Sequence, residues 1–389
     1  MDRFKKWLTK NGIRMDHIDI ILGENNEREV QAIKSITSSE QIMLVPKKIL
    51  IMSPVVERTR VGRKILEIFK NETELTKSII NISVFILFSM ENFPGYNTFW
   101  DPYFDTLPED LLHIPTFWKK NELSYLKGSH ILHEIKGRLV QTKREYRILK
   151  ENFIDFNIFS FYEYQRVRSL VSSRNFRLYI DGKTSTTLVP LADMLNHSLD
   201  AKTTWTYNNS KNGYEMTLKR DVRSGEEITD SYGRKDNHKY FLYYGFVMDE
   251  APTKIYVKTR SFSSYLNDDF DSTEMKNLLN YLRRLFLEPE QKFRYGFIDL
   301  YNEKKTIKEL NKIMKRKKKN IPRTLGYYKK YKNSGSLNRR NAYKLIYMEL
   351  SIIESYIKKT EIIMKYLRGK KVKHNYEDVK RYLSSVDLS

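Results

Sequence analysis

Leu188-Val-Pro-Leu-Ala-Asp-Met-Leu-Asn-His-Ser198 is the stretch whose reading decides the fold of this 389-residue chain, together with Gly225-Glu-Glu-Ile-Thr-Asp-Ser-Tyr-Gly233 and Tyr243-Tyr-Gly-Phe246 behind it. Taken singly, the first piece is an apolar turn ending in a capping asparagine, and the second is a hairpin punctuated by glycine. On that local reading Asn196 and His197 are satisfied polar groups of a core. The order and spacing of all three pieces carry more than each alone.

In that order and spacing the three pieces resemble the SET-domain protein methyltransferases, most closely the branch holding the Rubisco large-subunit lysine methyltransferase and the actin-histidine methyltransferase. The resemblance implies an α+β fold: a β-rich SET domain of small sheets, interrupted by a helical insertion and followed by an all-α C-terminal substrate-binding domain. It also implies a pseudoknot, in which the Asn-His segment and the Tyr-bearing segment pass through one another, against the usual rule that chains do not thread. S-adenosyl-L-methionine would lie against that crossing.

Composition narrows the choice. The chain has no cysteine, which excludes thiol catalysis, disulfides and Cys-based zinc sites, and with them the branches of the family stapled by Cys-rich zinc clusters. No metal is expected. The opening Met-Asp-Arg-Phe-Lys-Lys lacks a signal-peptide core, and the apolar run Ile79–Met90 is too short to span a bilayer. We therefore expect an intracellular monomer, of cytoplasm or nucleus, that acts on a protein substrate. The net charge of +22 is uneven: residues 251–389 carry 33 Lys and Arg against 15 Asp and Glu. That places a compositional boundary near residue 250, so the SET domain is expected over 1–250, its insertion over about 93–165, and the helical domain over 251–389. The basic half suits solvated helix faces, an acidic partner or nucleic acid, and no nucleic-acid motif accompanies it.

Along the chain, Phe4–Lys10 reads as a helix and Val30–Ile36 with Gln41–Pro46 as paired strands. Residues 53–92 and 114–164 read as helical, and Phe99-Trp-Asp-Pro-Tyr-Phe-Asp-Thr-Leu-Pro108 as an aromatic corner without chemistry. Beyond 250, Thr273–Leu287 and Arg340–Leu367 carry apolar stripes at helical spacing. Lys312–Lys319 reads as a basic helix end.

The resemblance assigns roles residue by residue. Arg174, in Ser173-Arg-Asn-Phe176, would meet the cofactor carboxylate with two parallel donors. Asn196 would hold the methionine moiety through its side chain, His197 the adenine through its backbone, and Phe246 would pack on the adenine. Where the family has a Gly-x-Gly turn this chain has Glu27-Arg28-Glu29, so Glu27 and Glu29 become candidate cofactor residues through their backbone, or weaken binding if their carboxylates face that of the cofactor. Tyr244 would be the catalytic tyrosine and Tyr232 its channel-lining partner. The histidine-modifying relative carries an Asn and a Trp where this chain has Phe176 and Ala192, and it departs at Tyr244; these differences point to lysine as the methylated side chain. A free lysine amine, with a pKa near ~10.4, lacks a lone pair at neutral pH. Desolvation and a nearby sulfonium would hold it neutral. A non-catalytic SET-type binding module, a histidine methyltransferase and a nucleic-acid-associated protein remain as alternatives.

Overall fold

The computed structural model describes residues 1–23, 28–93, 98–293 and 295–369. The chain forms two compact units, residues 1–111 with 138–234, and residues 112–137 with 235 onward.

The first unit is built on small antiparallel sheets. Strands β1 (Ile18–Leu22) and β2 (Arg28–Ala32) pair with each other, β3 (Gln41–Pro46) pairs with β8 (Gly213–Leu218), and β8 pairs with β7 (Thr203–Asn208). A third sheet has the order β4 (Ile51–Met52), β6 (Lys183–Leu188), β5 (Asn175–Ile180). The expected pairing of Val30–Ile36 with Gln41–Pro46 does not occur: β2 pairs with the preceding β1, and β3 takes a partner distant in sequence, β8, which alternating hydrophobicity alone does not specify.

The helix Glu74–Met90 begins at Thr73, whose hydroxyl accepts from the Thr76 N–H. It is buried on every side, as expected of a helix apolar all round. Ser83 and Ser89 donate to the carbonyls of Ile79 and Phe85 and the Asn81 amide to that of Gly62, while Asn81 Oδ1 is buried without a partner among the described residues. The helix Phe161–Arg174 starts at a Ser160/Glu163 capping box and packs on it. Arg168 on that helix is buried and donates to Glu145, with the Tyr164 hydroxyl donating to the same carboxylate.

The second unit is helical apart from the hairpin of β9 (Ile255–Lys258) and β10 (Ser263–Leu266). Its principal helices are Asn237–Tyr244, Thr273–Leu285, Leu300–Asn320, Leu325–Tyr331 and Leu337–Gly369. Leu278, Leu282, Ile307, Leu310, Ile346, Leu350 and Ile353 share its core, so the striped helices expected beyond 250 do bury those stripes together. Arg283 and Glu303 form a buried bidentate pair at 2.8 Å and 2.8 Å inside it.

Residues 235–250 belong to this unit rather than to the first, so the packing boundary lies at 234/235 and not at the charge step near 250. Phe241, Leu242 and Val247 cluster there with Trp118, Ile131, Ala342 and Leu345. Residues 112–137, within the insertion expected over 93–165, are part of the same core for the same reason. Burial of large side chains sets this division; charge, which lies on solvated faces, does not.

Gly245 ends the helix Asn237–Tyr244 with φ +79, and a Cβ there would lie 2.6 Å from the His113 carbonyl oxygen. Gly245→Ala must therefore bear a left-handed conformation, about 1–2 kcal/mol, and an overpacked contact of about 1–3 kcal/mol. Urea unfolding should show a loss of at least about 2 kcal/mol from these two terms; an unchanged midpoint would mean the turn relaxes freely.

Candidate functional site

Within the first unit, the quoted segments meet. Asp230 N–H donates to the Asn196 carbonyl at 2.9 Å and Ser198 N–H to the Asp230 carbonyl at 3.0 Å, a parallel bridge between His197 and Asp230. On its other side the same segment bonds to β2, through Gly225 N–H to Ala32 O, Ala32 N–H to Glu226 O and Ile228 N–H to Val30 O. Residues 225–232 thus run between two neighbours as the crossing requires. They form isolated bridges instead of a hairpin, because residues 225–228 bond to β2 and Asp230 to the Asn196–Ser198 segment, so neither ladder continues.

In such a bridge the N–H and C=O of His197 take no part and face away from Asp230. Its Nδ1 accepts from Tyr232 N–H at 3.1 Å, and the two rings stack at 5.0 Å. The Tyr232 hydroxyl donates to the Leu195 carbonyl at 2.9 Å. Burial pushes its pKa up to about 12, with Arg174 opposing, so the phenol is neutral at physiological pH.

Leu191, fully buried, has φ 79 and ψ −49, near the rare γ-turn conformation. The short turn Ala192–Met194 follows it and carries Asp193, whose side chain is wholly buried. Arg174, the last residue of its helix, donates through Nη1 to the Asp193 carbonyl at 2.6 Å and to Oδ2 at 3.2 Å. The Tyr103 hydroxyl donates to the same Oδ2 at 2.8 Å. Asp193 Oδ1 is buried with no hydrogen-bond partner among the described residues. Burial raises the Asp193 pKa, against the opposing pull of Arg174, the Tyr103 hydroxyl and Arg28.

Arg28 completes the group. Its Nη1 donates to Thr106 O at 2.5 Å, and its pKa is lowered first by burial and then by the charge of Arg174. Both guanidiniums act on the Asp193 carboxylate, Arg174 by direct bonds and Arg28 through its charge. Asn196 Nδ2 donates to the Arg28 carbonyl at 3.0 Å and to Glu227 Oε1 at 2.8 Å. Two acceptors on one side fix the amide's orientation and direct Oδ1 the other way.

Arg174, Asn196, His197 and Tyr232, each expected at the site, are thus joined in one network. Glu27 lies outside the described residues. Glu29 sits half-buried in β2 opposite Ile21. In that passage it is Arg28, at the middle position of the turn, that joins the network, through its carbonyl and its charge. Asp193 and Glu227 also lie in quoted motifs without an assigned role. Tyr103, in the segment read as an aromatic corner, also joins the network, because its hydroxyl bonds to the buried carboxylate.

Phe176, on β5, meets Trp205 at 5.3 Å and Tyr214 at 5.4 Å in edge-on contacts, and Ala192 is buried. In the second unit, Tyr244 and Phe246 adjoin Tyr240, which stacks on Phe246 at 5.3 Å. The Lys235 ammonium lies 5.7 Å from the Tyr244 ring, and burial lowers its pKa, with Lys239 adding to the shift.

A family model described as SET domain matches residues 27–233. The actin-histidine N-methyltransferases of Homo sapiens and Gallus gallus are 25% and 26% identical to this chain over 255 and 261 residues, in each case 63% of it and 42% of the relative. The chain thus spans about two-fifths of the length of these curated relatives. Solved structures of Rubisco LSMT bound to AdoMet, and to sinefungin and monomethyllysine, align with TM-scores of 0.76 and 0.75 at 19% and 20% identity, each covering 98% of this chain and 99% of theirs. At that identity the likeness concerns the fold.

Proposed function

We propose, from the premise that the chain belongs to the SET-domain family, that it is an S-adenosylmethionine-dependent protein methyltransferase acting on lysine. The observation that carries the reading is the partly buried Arg28 and Arg174 beside the buried carboxylate of Asp193, with an oriented Asn196 at the crossing of the two motif segments.

The residues fit the cofactor. A planar guanidinium such as that of Arg174 suits an α-carboxylate, and Asn196 Oδ1 is directed to accept from an α-ammonium. The main chain of His197 faces away from its bridge and suits the adenine edge. By motif position Phe246 is assigned to the adenine ring and Tyr244 to the amine. When bound, the cofactor supplies a sulfonium methyl for in-line displacement; the protein supplies alignment and protonation state. A neutral Tyr232 phenol, committed to Leu195 O, offers no negative charge that would hold an incoming ammonium protonated.

Lysine is favoured by the wall that Phe176 forms with Trp205 and Tyr214, and by the small Ala192. A wall of this kind desolvates an alkylammonium and lowers its pKa. Histidine is the second reading, favoured by the 25% identity to the actin-histidine enzymes.

Incubation with methyl-labelled cofactor and a protein extract should label a protein whose hydrolysate contains methyl-lysine. Tyr244→Phe, which removes one orienting hydroxyl, should slow transfer about 10²–10³-fold. Labelled methyl-histidine would transfer the assignment to the second reading. Absence of transfer with calorimetric silence toward the cofactor would leave a non-catalytic module.

A further inference from the structure

Between Glu309 and Glu349 the chain runs through residues 310–348 with 13 Lys and Arg and no Asp or Glu. The densest part, Lys312–Lys319, is largely tied down. Lys312 and Arg316 pair with Glu309, Lys315 with Glu361 and Lys318 with Glu354. Lys332 and Lys344 share Asp249. Lys317 and Lys319 of the run, and beyond it Arg323, Lys329, Lys330, Arg339 and Arg340, have no ion-pair partner among the described residues. They sit at the end of one helix, in the connection that follows it, on the short helix Leu325–Tyr331, and in the first turn of Leu337–Gly369.

Tyrosines hold two of the arginines in place. The Arg339 guanidinium lies 5.0 Å from the Tyr343 ring and 6.0 Å from that of Tyr331, and Arg323 lies 5.4 Å from Tyr327. The rings also brace one another, Tyr327 against Tyr331 at 4.7 Å and Tyr328 against Tyr343 at 5.2 Å. A guanidinium laid on an aromatic face loses little further entropy on binding and keeps its in-plane donors outward. Arg339 Nε is buried without a hydrogen-bond partner. The nearby acids are engaged, Asp249 by the two lysines and Glu122 by Asn338.

We propose that this face of the second unit is a docking surface for an acidic, carboxylate-bearing segment of a protein partner. Fixed planar donors with mobile lysines around them match paired carboxylates. A single-stranded nucleic acid would instead need open ring faces on which to stack, and here the rings of Tyr327, Tyr331 and Tyr343 are taken up by guanidiniums and by each other. The helix Leu325–Tyr331 is also short, about 10 Å at 1.5 Å per residue, a span suited to a short acidic segment. The proposal deepens the methyl-transfer reading, on which its biological sense rests, by naming what the enzyme docks.

Fluorescence anisotropy of a labelled oligoglutamate peptide against the full chain tests it. Binding should weaken steeply as salt rises. Lys329→Glu with Lys330→Glu, both at exposed positions, should weaken it about tenfold or more; Arg323→Lys with Arg339→Lys, which keeps the charge and loses the fork, should weaken it less. Affinity unchanged by the charge reversal overturns the proposal. So does tighter binding of an unstructured RNA oligomer that the same substitutions abolish, which would make the face a nucleic-acid surface. Neither cofactor nor methyl transfer enters this measurement, so it and the methyl-transfer reading can fail separately.

Discussion

Arg174→Ala is expected to lower the affinity for S-adenosylmethionine at least about 100-fold, the scale of two charge-assisted hydrogen bonds at roughly 1.5–3 kcal/mol each. The same substitution also strips Asp193 of its nearest counter-charge, with the carboxylate wholly buried and held otherwise by Tyr103 and Arg28. Removing one partner of a buried pair costs on the order of 3–5 kcal/mol, and the remaining Arg28 should keep the loss toward the lower end. Affinity and stability therefore have to be read together. Arg174→Lys separates them, because an ammonium still neutralises Asp193 but cannot present two parallel donors to a carboxylate. Calorimetry should find weak binding by a variant of near-parental thermal stability. If Arg174→Lys binds the cofactor as well as the parent does, the guanidinium is structural and the cofactor carboxylate is held elsewhere.

The expectation that Arg174 serves the site rested on a four-residue motif, and the motif was legible because its function demands chemically specific residues. Asn196, His197 and Tyr232 were legible for the same reason. What the sequence withheld was the neutralising chemistry around them. Asp193 reads as one more residue of an apolar turn ending in a capping asparagine until the γ-turn geometry at Leu191 and the burial of its side chain are seen. Tyr103 reads as core because aromatic side chains at a helical corner almost always are; only its hydroxyl bond sets it apart. Helices were recovered well, since a stripe of apolar residues at a period of 3.6 is a local signal. The pairing of β2 and β3 was not, since β2 turns back on β1 while the partner of β3 lies far along the chain. The division at 234/235 escaped for a related reason. Charge marks surfaces, whereas Phe241 and Leu242 commit their helix to a core completed by Ala342 and Leu345, a hundred residues later.

That helix is also fixed by a titratable contact, and the stability of the second unit should pass through a maximum near pH 6.5. His238 Nε2 lies 2.6 Å from Glu349 Oε1, both side chains nearly fully buried, and Ser129 donates to the same oxygen. Burial opposes the imidazolium, but the Glu349 hydrogen bond and charge, with Glu134 and Asp236, outweigh it and raise the His238 pKa above its ordinary 6.5. A base whose folded pKa is raised contributes stability in full below its unfolded pKa and loses it as pH climbs through the folded value. His130 behaves in the opposite sense. It stacks on Tyr256 at 3.9 Å, and burial lowers its pKa, Glu134 opposing while His133, Lys317 and His238 reinforce. Its contribution is present above 6.5 and is lost as pH falls through the depressed value. The two windows lie on either side of 6.5, so chemical unfolding of the full chain should show stability falling toward both. Glu349→Gln keeps an acceptor for Ser129 and removes the charge, so it should flatten the alkaline limb while leaving the acid limb in place. Glu349→Ala, which leaves His238 and Ser129 without their buried partner, should cost on the order of 3–5 kcal/mol below pH 6.5 and less above it. An alkaline limb that persists unchanged in Glu349→Gln would show that the pair does not set it, and that the anchoring of this helix rests on the Asn341 bond to the Gly245 carbonyl and on the packing of Phe241.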